Sequence, residues 1–452
     1  MYKRTEYSVT FRAGNSRPIH SNVGLKQGCP LSPMLFNLYI DDINDIFDES
    51  CCPIALQNEQ ISHFLYADDL VLISESAKGL QNCLNKVKNF AKCKYLTVSI
   101  QKSKTMTFNQ AGKMLHNPFF LDDKVLEQVQ SFCYLGFDVK CSGTVKHAMN
   151  VLRDKANKAL RPLLCAIARF NIPVRTSIRL FHTFISPILL YNAENWVTLT
   201  DKKLQNFSNS IIFDEISNSK IDITHRKLLK FVLGVSKSCP NLAIYGETGE
   251  VPLSLKSYRL ALNFWHRVTQ LPDTTLAKKA LLENISLRTN WILTIEKLLG
   301  CFNLADKIGN HEKFKKITKF EMDRGYSNHW ITELRKPDLS RLSFYKEIKG
   351  EFKMETYLQT TNPEHRKYIA KIRCSDHSLQ IEKGRHRNIP RTERKCKLCS
   401  TDEIETEKHF LLKCNKYELL KINYNIAEYT TISEFFNDME KTDLGSFFGR
   451  GV

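Results

Sequence analysis

Residues 61–74, ISHFLYADDLVLIS, constrain the fold more than any other stretch of the chain. Two short apolar runs, His63-Phe64-Leu65-Tyr66 and Leu70-Val71-Leu72-Ile73, flank the adjacent acids Asp68 and Asp69. Both runs are aromatic or rich in branched aliphatic residues and read as strands. Ala67-Asp68-Asp69 then falls at the tight turn of a hairpin. Phe64 and Val71 are expected to lie buried beneath an exposed Asp68. Such a hairpin gains no packing from two acids at its tip, and neighbouring like charges repel unless a cation neutralises them. One reading is an ordinary acidic turn, because Asp is a common turn residue. The other is a magnesium site, because that ion takes hard carboxylate oxygens together with phosphate. A carboxylate-bearing hairpin of this kind suits in-line phosphoryl or nucleotidyl transfer by two metals.

Upstream, GLKQGCPLSPMLFNLYI (residues 24–40) places Gly24 and Gly28 where side chains would block the backbone. Pro30 and Pro33 then open an apolar run that reads as a buried helix, with Ser32 as its expected cap. This helix is expected to pack against the acidic hairpin. A glycine turn carrying Lys26 and Gln27 ahead of such a helix suits contact with a nucleotide or a template strand.

The order GLKQGCPLSP, YADD, LTVSIQKSKTMTF (96–108) and FCYLGFDV (132–139) resembles the reverse transcriptases of non-LTR retrotransposons. The similarity continues through FISPILLYNAENWV (184–197), HRKLLKFVLGV (225–235), CPNLAIYGETGEVPL (239–253) and HRKYIAKIRCSDHSLQIEKGR (365–385), so it spans nearly the whole chain. The resemblance implies an RNA-directed DNA polymerase that copies an RNA template from a DNA target or primer, using deoxynucleotide triphosphates and magnesium. Asp68 would be the catalytic magnesium ligand and Asp69 its supporting neighbour. Gln27 and Gly28 would touch nucleotide or template. Lys102 or Lys104 would lie near the triphosphate, and the residues leave that choice open. Tyr134, Leu135 and Gly136 would form the primer grip.

The chain also departs from that pattern. A polymerase palm takes a further aspartate from a strand upstream of the glycine block, but Glu6 is the sole acid ahead of Gly24. Ser99 stands where the family usually has Asn, and Tyr95 near where it favours Gly. The expectation is a truncated reverse transcriptase with little or no polymerase activity of its own. The alternative is a non-catalytic nucleic-acid-binding relic that works through its basic helices and its tail.

The charge is unevenly spread. Residues 1–100 carry 10 basic and 10 acidic side chains, residues 101–400 carry 50 and 28, and residues 401–452 carry 6 and 10. A neutral first block followed by a long basic body suits a polyanionic partner. The 14 cysteines are scattered and read as reduced thiols rather than as a disulfide framework. The opening residues, with no apolar core after Met1-Tyr2-Lys3-Arg4, lead to the expectation of no secretory leader. The longest apolar stretch, residues 180–197, is interrupted by His182, Asn192 and Glu194, so no membrane span is expected. These features fit an intracellular protein, nuclear or cytoplasmic.

The fold expected is α+β: a partial polymerase palm, an antiparallel sheet with helices, followed by an all-helical thumb and connector and a small zinc-binding tail. The boundaries read as 1–144 for the palm with its primer-grip hairpin, 145–265 for the thumb, 266–360 for the connector and 361–452 for a basic arm and zinc knuckle. Within this scheme YSVTF and RPIHS pair around a turn at Gly14-Asn15. Residues 77–94 form an amphipathic helix with Leu80, Leu84, Val87 and Phe90 on one face. Residues 149–170 form a basic helix interrupted by Pro162, and 208–220 read as a surface loop.

In the tail, Cys396 and Cys399 form a two-residue knuckle, His409 follows after nine residues and Cys414 after four more. Four such ligands at this spacing suit tetrahedral zinc. Cys374 and His377 lie close in sequence and could compete as ligands, though the resemblance favours the four named. Lys383, Arg385, Arg387, Arg391, Arg394 and Lys395 precede the knuckle as a basic arm suited to phosphates.

Overall fold

The computed structural model describes residues 5–12, 14–21, 24–26, 28–109, 117–337, 340–360, 362–424 and 429–437. The chain divides into two compact units, residues 1–144 and 145–452.

The first unit mixes helices with small sheets. In place of one antiparallel sheet, its described strands form seven separate two-stranded ladders. The strands are two to four residues long, too short to bury a continuous face, so helix packing supplies the core. The amphipathic helix Ala77–Cys93 begins at Ser76, whose hydroxyl accepts from the Gly79 amide at 3.0 Å. Its inner face brings Leu80 and Leu84 onto Phe119, Leu121 and Leu126, with Leu72, Val98 and Ile100 around them. Gly79 is required there: an added Cβ would meet the Cys51 carbonyl oxygen at 2.5 Å. The first ladders fold as one long hairpin, with Thr5–Tyr7 on Ile19–Ser21 and Thr10–Phe11 on Gly14–Asn15. Gly14 and Asn15 are therefore strand residues rather than the turn.

Helix Ser32–Ile40 forms where expected, but it is not buried. Met34 and Leu38 are 64% and 73% exposed. Ser32 does not cap it either. Leu31 holds the cap position, and the Ser32 hydroxyl donates back to the Lys26 carbonyl at 2.9 Å, closing the glycine loop. At its far end, the Tyr39 hydroxyl donates to the Lys94 carbonyl at 2.6 Å, which ties this helix to the end of Ala77–Cys93.

The second unit is helical. Lys146–Arg169 runs unbroken through Pro162. That proline lies on the exposed side of the helix, where the carbonyl it leaves unpaired can turn to water. Residues 209–218 are a helix rather than a loop, with Ile212, Phe213 and Ile216 buried. Leu253–Thr269 crosses the expected 265/266 boundary without interruption and packs on Ala193–Trp196, Asn290–Cys301 and His311–Arg335. Helix Asn241–Thr248 is locked in place by Trp330, whose indole N–H donates to the Leu242 carbonyl at 2.8 Å.

A buried ionic cluster joins this helix to Pro363–Arg373. The Arg373 guanidinium makes two bonds to Glu247, Nε to Oε2 at 2.9 Å and Nη2 to Oε1 at 3.0 Å. Glu355 adds a third contact at 3.0 Å, and the Tyr357 hydroxyl donates to Glu247 at 2.6 Å. Among the described residues, no helix is long and apolar enough to cross a membrane.

Candidate functional site

The acidic hairpin pairs His63–Tyr66 with Asp69–Leu72 in the register Phe64↔Val71 and Tyr66↔Asp69. Alternation in a strand sends His63, Leu65, Leu70 and Leu72 to one face and Phe64, Tyr66, Asp69 and Val71 to the other. The first set faces the core. Phe64, expected to be buried, is therefore 39% exposed, and Val71 is half-buried. Asp68 and Asp69 are exposed at the tip. The turn residue Ala67 has φ 51°, a left-handed conformation that costs a non-glycine residue about 1 kcal/mol or more. The base of the hairpin is fixed by His63, whose Nε2 lies 2.9 Å from Asn44 Oδ1 and whose ring lies tilted against Phe47, centroids 4.5 Å apart.

The second hairpin, Ser131–Tyr134 with Phe137–Lys140, turns through Leu135 and Gly136, both at positive φ. Two such residues in succession form the tight reversal that matches strand twist. Tyr134 sits near the acidic tip. Burial raises its hydroxyl pKa, and the Asp69 charge raises it further. The two lysines differ. Lys104 lies on a short strand and pairs with Glu127 at 2.5 Å, whereas Lys102 is exposed in the preceding turn. Gly28 is exposed with φ 80°, and Gln27 lies outside the described residues.

Two groups of three or more potential metal ligands gather among the described residues, and neither includes Asp68 or Asp69. One group is Cys396, Cys399, His409 and Cys414, whose ligand atoms all lie within 4.8 Å of one another. A short bridge between Lys395 and Ile404 folds the knuckle. A single wide turn of π-helix, His409–Lys413, brings His409 and Cys414 to the same side despite their five-residue spacing. The Cys399 sulfur lies 3.3 Å from His409 Nε2. Hydrogen bonds from Thr401 hold the Cys399 thiol down to about 6, while burial pushes Cys396 up to about 12. Glu403 sits 3.1 Å from His409 Nδ1, a contact that sequence reading did not pick out. It leaves Nε2 to face the thiols.

Cys374 and His377 are not in this group. Cys374 is buried beside Cys239, and His377 pairs with Glu407 at 2.9 Å. The basic arm is not a free arm either. Residues 380–386 are helical, Arg385 pairs with Glu382, Lys395 pairs with Asp402, and Arg394 donates to the carbonyls of Ile381 and Ile389. Lys383, Arg387 and Arg391 remain exposed.

Residues 2–139 match the family model for reverse transcriptase (RNA-dependent DNA polymerase). The chain is 26% identical over 187 residues to a Retrovirus-related Pol polyprotein from type-1 retrotransposable element R2 of Nasonia vitripennis, covering 38% of this chain and 18% of that protein. A protein of the same description from Popillia japonica is 28% identical over 209 residues, covering 42% and 27%. The type-2 element R2DM polyprotein of Drosophila melanogaster is 29% identical over 131 residues, covering 27% and 12%. The chain thus spans about a quarter or less of the length of these curated relatives. It carries a reverse transcriptase domain in its amino-terminal third. Beyond that domain, what the comparisons show is similarity to the Pol polyproteins of R2 retrotransposable elements.

Proposed function

We propose that residues 1–144 form the palm portion of an RNA-directed DNA polymerase, followed by a helical thumb and connector that share helix Leu253–Thr269 (145–360) and a zinc-bearing tail (361–452). The observation that carries this reading is the exposed Asp68-Asp69 pair at a hairpin tip, with Tyr134 of a second hairpin near it. Asp68 and Asp69 would hold magnesium, which supplies charge neutralisation for a triphosphate and an activated primer hydroxyl. Their exposure and adjacency suit a hard cation. Lys102 is the better of the two lysines for the triphosphate, because Glu127 already neutralises Lys104. Tyr134, Leu135 and Gly136 would steady the primer end, with Gly28 against nucleotide or template. Cys396, Cys399, His409 and Cys414 would hold zinc, and their donor set and closeness fit that ion.

Two-metal transfer needs carboxylates on both sides of the reacting phosphate, and the described residues gather only the Asp68 side. The purified chain is therefore expected to bind an RNA template with a DNA primer but to extend it poorly in magnesium. Primer extension tests this. Robust incorporation that Asp68→Ala abolishes would reveal a second carboxylate group within this chain and overturn the expectation of weak activity. The other reading is a nucleic-acid-binding protein without catalysis. The exposed basic stripe of Lys155, Lys158, Arg161 and Arg169 on one helix favours it. It predicts template binding unchanged by Asp68→Ala and no incorporation under any condition.

A further inference from the structure

The second group of potential metal ligands lies in the helical unit, well along the chain from the cysteine cluster. It comprises His182 on Val174–Phe184, His225 on Ile221–Leu233 and Glu250 on the turn after Asn241–Thr248. Their ligand atoms all lie within 4.8 Å of one another. His182 Nε2 is 2.7 Å from Glu250 Oε2, and His225 Nε2 is 3.8 Å from the same oxygen. Glu250 is aimed by a rigid turn, because Gly249 has φ 62° and packs its Cα against residue 354 so closely that a Cβ would meet the Met354 amide at 2.4 Å.

His225 is the informative residue. It is 0% exposed, and neither ring nitrogen has a hydrogen-bond partner. Its ring stacks on Phe181 at 5.1 Å, which fixes its plane. A fully buried imidazole normally satisfies both nitrogens. Here one nitrogen points at Glu250, and the other faces the Asp222 carboxylate at 4.0 Å. Asp222 is itself held by the Leu253 and Ser254 amides at 2.5 and 3.3 Å. At 4.0 Å Asp222 makes no hydrogen bond to the ring, but it lies on the side from which carboxylates orient metal-binding histidines, with the other nitrogen directed at a second imidazole and a carboxylate.

We propose that His182, His225 and Glu250 form a second metal site, specific for a divalent transition ion of the zinc class. Two imidazoles disfavour magnesium and calcium, which prefer all-oxygen shells. Three protein ligands leave one position for water. The ion clamps two helices to the turn that precedes Leu253–Thr269. Lys256 is its competitor: the ammonium lies 3.0 and 3.2 Å from the two ring nitrogens of His182 and must swing aside when the ion enters.

Cobalt titration of the full chain under reducing conditions tests the proposal. The wild-type chain should take up about two equivalents. One develops an intense thiolate-to-cobalt band from the cysteine cluster, and the other shows only weak visible bands. Glu250→Gln and His182→Asn should each lose the second equivalent and keep the thiolate band intact, with helical circular dichroism confirming the fold. Cys399→Ser with Cys414→Ser should lose the thiolate band and keep the second ion. Lys256→Met should tighten the second ion. A single equivalent in the wild-type chain, with the thiolate band saturated, overturns the proposal. So does an unchanged count of two in both Glu250→Gln and His182→Asn.

Discussion

The two ring nitrogens of His409 have separate surroundings, and this division sets what each acid of the tail does. Nδ1 faces Glu403, and Nε2 faces Cys399. Glu403→Gln is expected to weaken zinc binding by roughly 10- to 100-fold, because the carboxylate orients the ring and raises its basicity. Cys396→Ser should abolish binding. Competition against a chromophoric chelator measures both, and equal affinity for wild type and Glu403→Gln would remove the orienting role. The gathering of Cys396, Cys399, His409 and Cys414 was legible from the sequence, because a knuckle and a distal His and Cys form a pattern of residue types. The roles of the neighbouring acids were not. Glu403, Glu405 and Glu407 read alike in a row, yet Glu405 accepts from the Gln380 amide at 2.6 Å and Glu407 holds His377. Phe64 was misread for a related reason. An apolar run shows that a strand forms, but which parity faces inward depends on what packs there.

At the scale of elements, helix Asn241–Thr248 depends on one ion pair that it cannot see in its own sequence. Burial by itself would raise the Glu247 pKa, but Arg373, with Lys349 and Tyr357, outweighs this and holds it below the ordinary 4.5. A carboxylate depressed in the folded state stabilises above its unfolded pKa and loses that contribution as pH falls through the folded value. Glu247→Gln should therefore cost about 3–5 kcal/mol near neutral pH, the usual penalty for stranding one half of a buried pair. The gap between wild type and variant should narrow as pH drops below about 4.5. Urea denaturation across that range checks both, and a gap independent of pH would mean that Glu247 titrates alike in the folded and unfolded chain. Helix positions were legible where apolar residues recur over several turns, as in Ala77–Cys93. Residues 209–218 escaped because polar ends mask one short stripe of Ile212, Phe213 and Ile216. Pro162 was read as a break because the sequence does not say which side of a helix meets water.

At the scale of the whole molecule, the charge blocks and the compact units follow different lines. The cationic excess falls mostly within 145–452, the unit that holds both groups of potential metal ligands. A fragment of residues 145–452 is expected to unfold cooperatively and to bind nucleic acid with an affinity that falls steeply between low and physiological salt, as counterion release requires. Residues 361–452 alone should not fold, because Arg373 and Cys374 complete the interior around Glu247 and Cys239 rather than a core of their own. Melting curves and salt titrations of the two fragments decide this. Binding by the larger fragment that is flat with salt would reduce its lysines to a solvated surface. The α+β character and the reverse transcriptase domain were legible in the order of motifs. The split into separate ladders was not, because local apolar runs show which neighbouring strands pair but not whether the resulting hairpins join edge to edge.

The contacts of the tail run on without a gap. Glu407 in the metal loop holds His377, four residues past Arg373; Arg373 grips Glu247; and Glu247 stands one turn before Glu250. Segment 396–414 is thus tied by buried ion pairs to Pro363–Arg373 and through it to Asn241–Thr248, so the tail shares its interior with the helices before it.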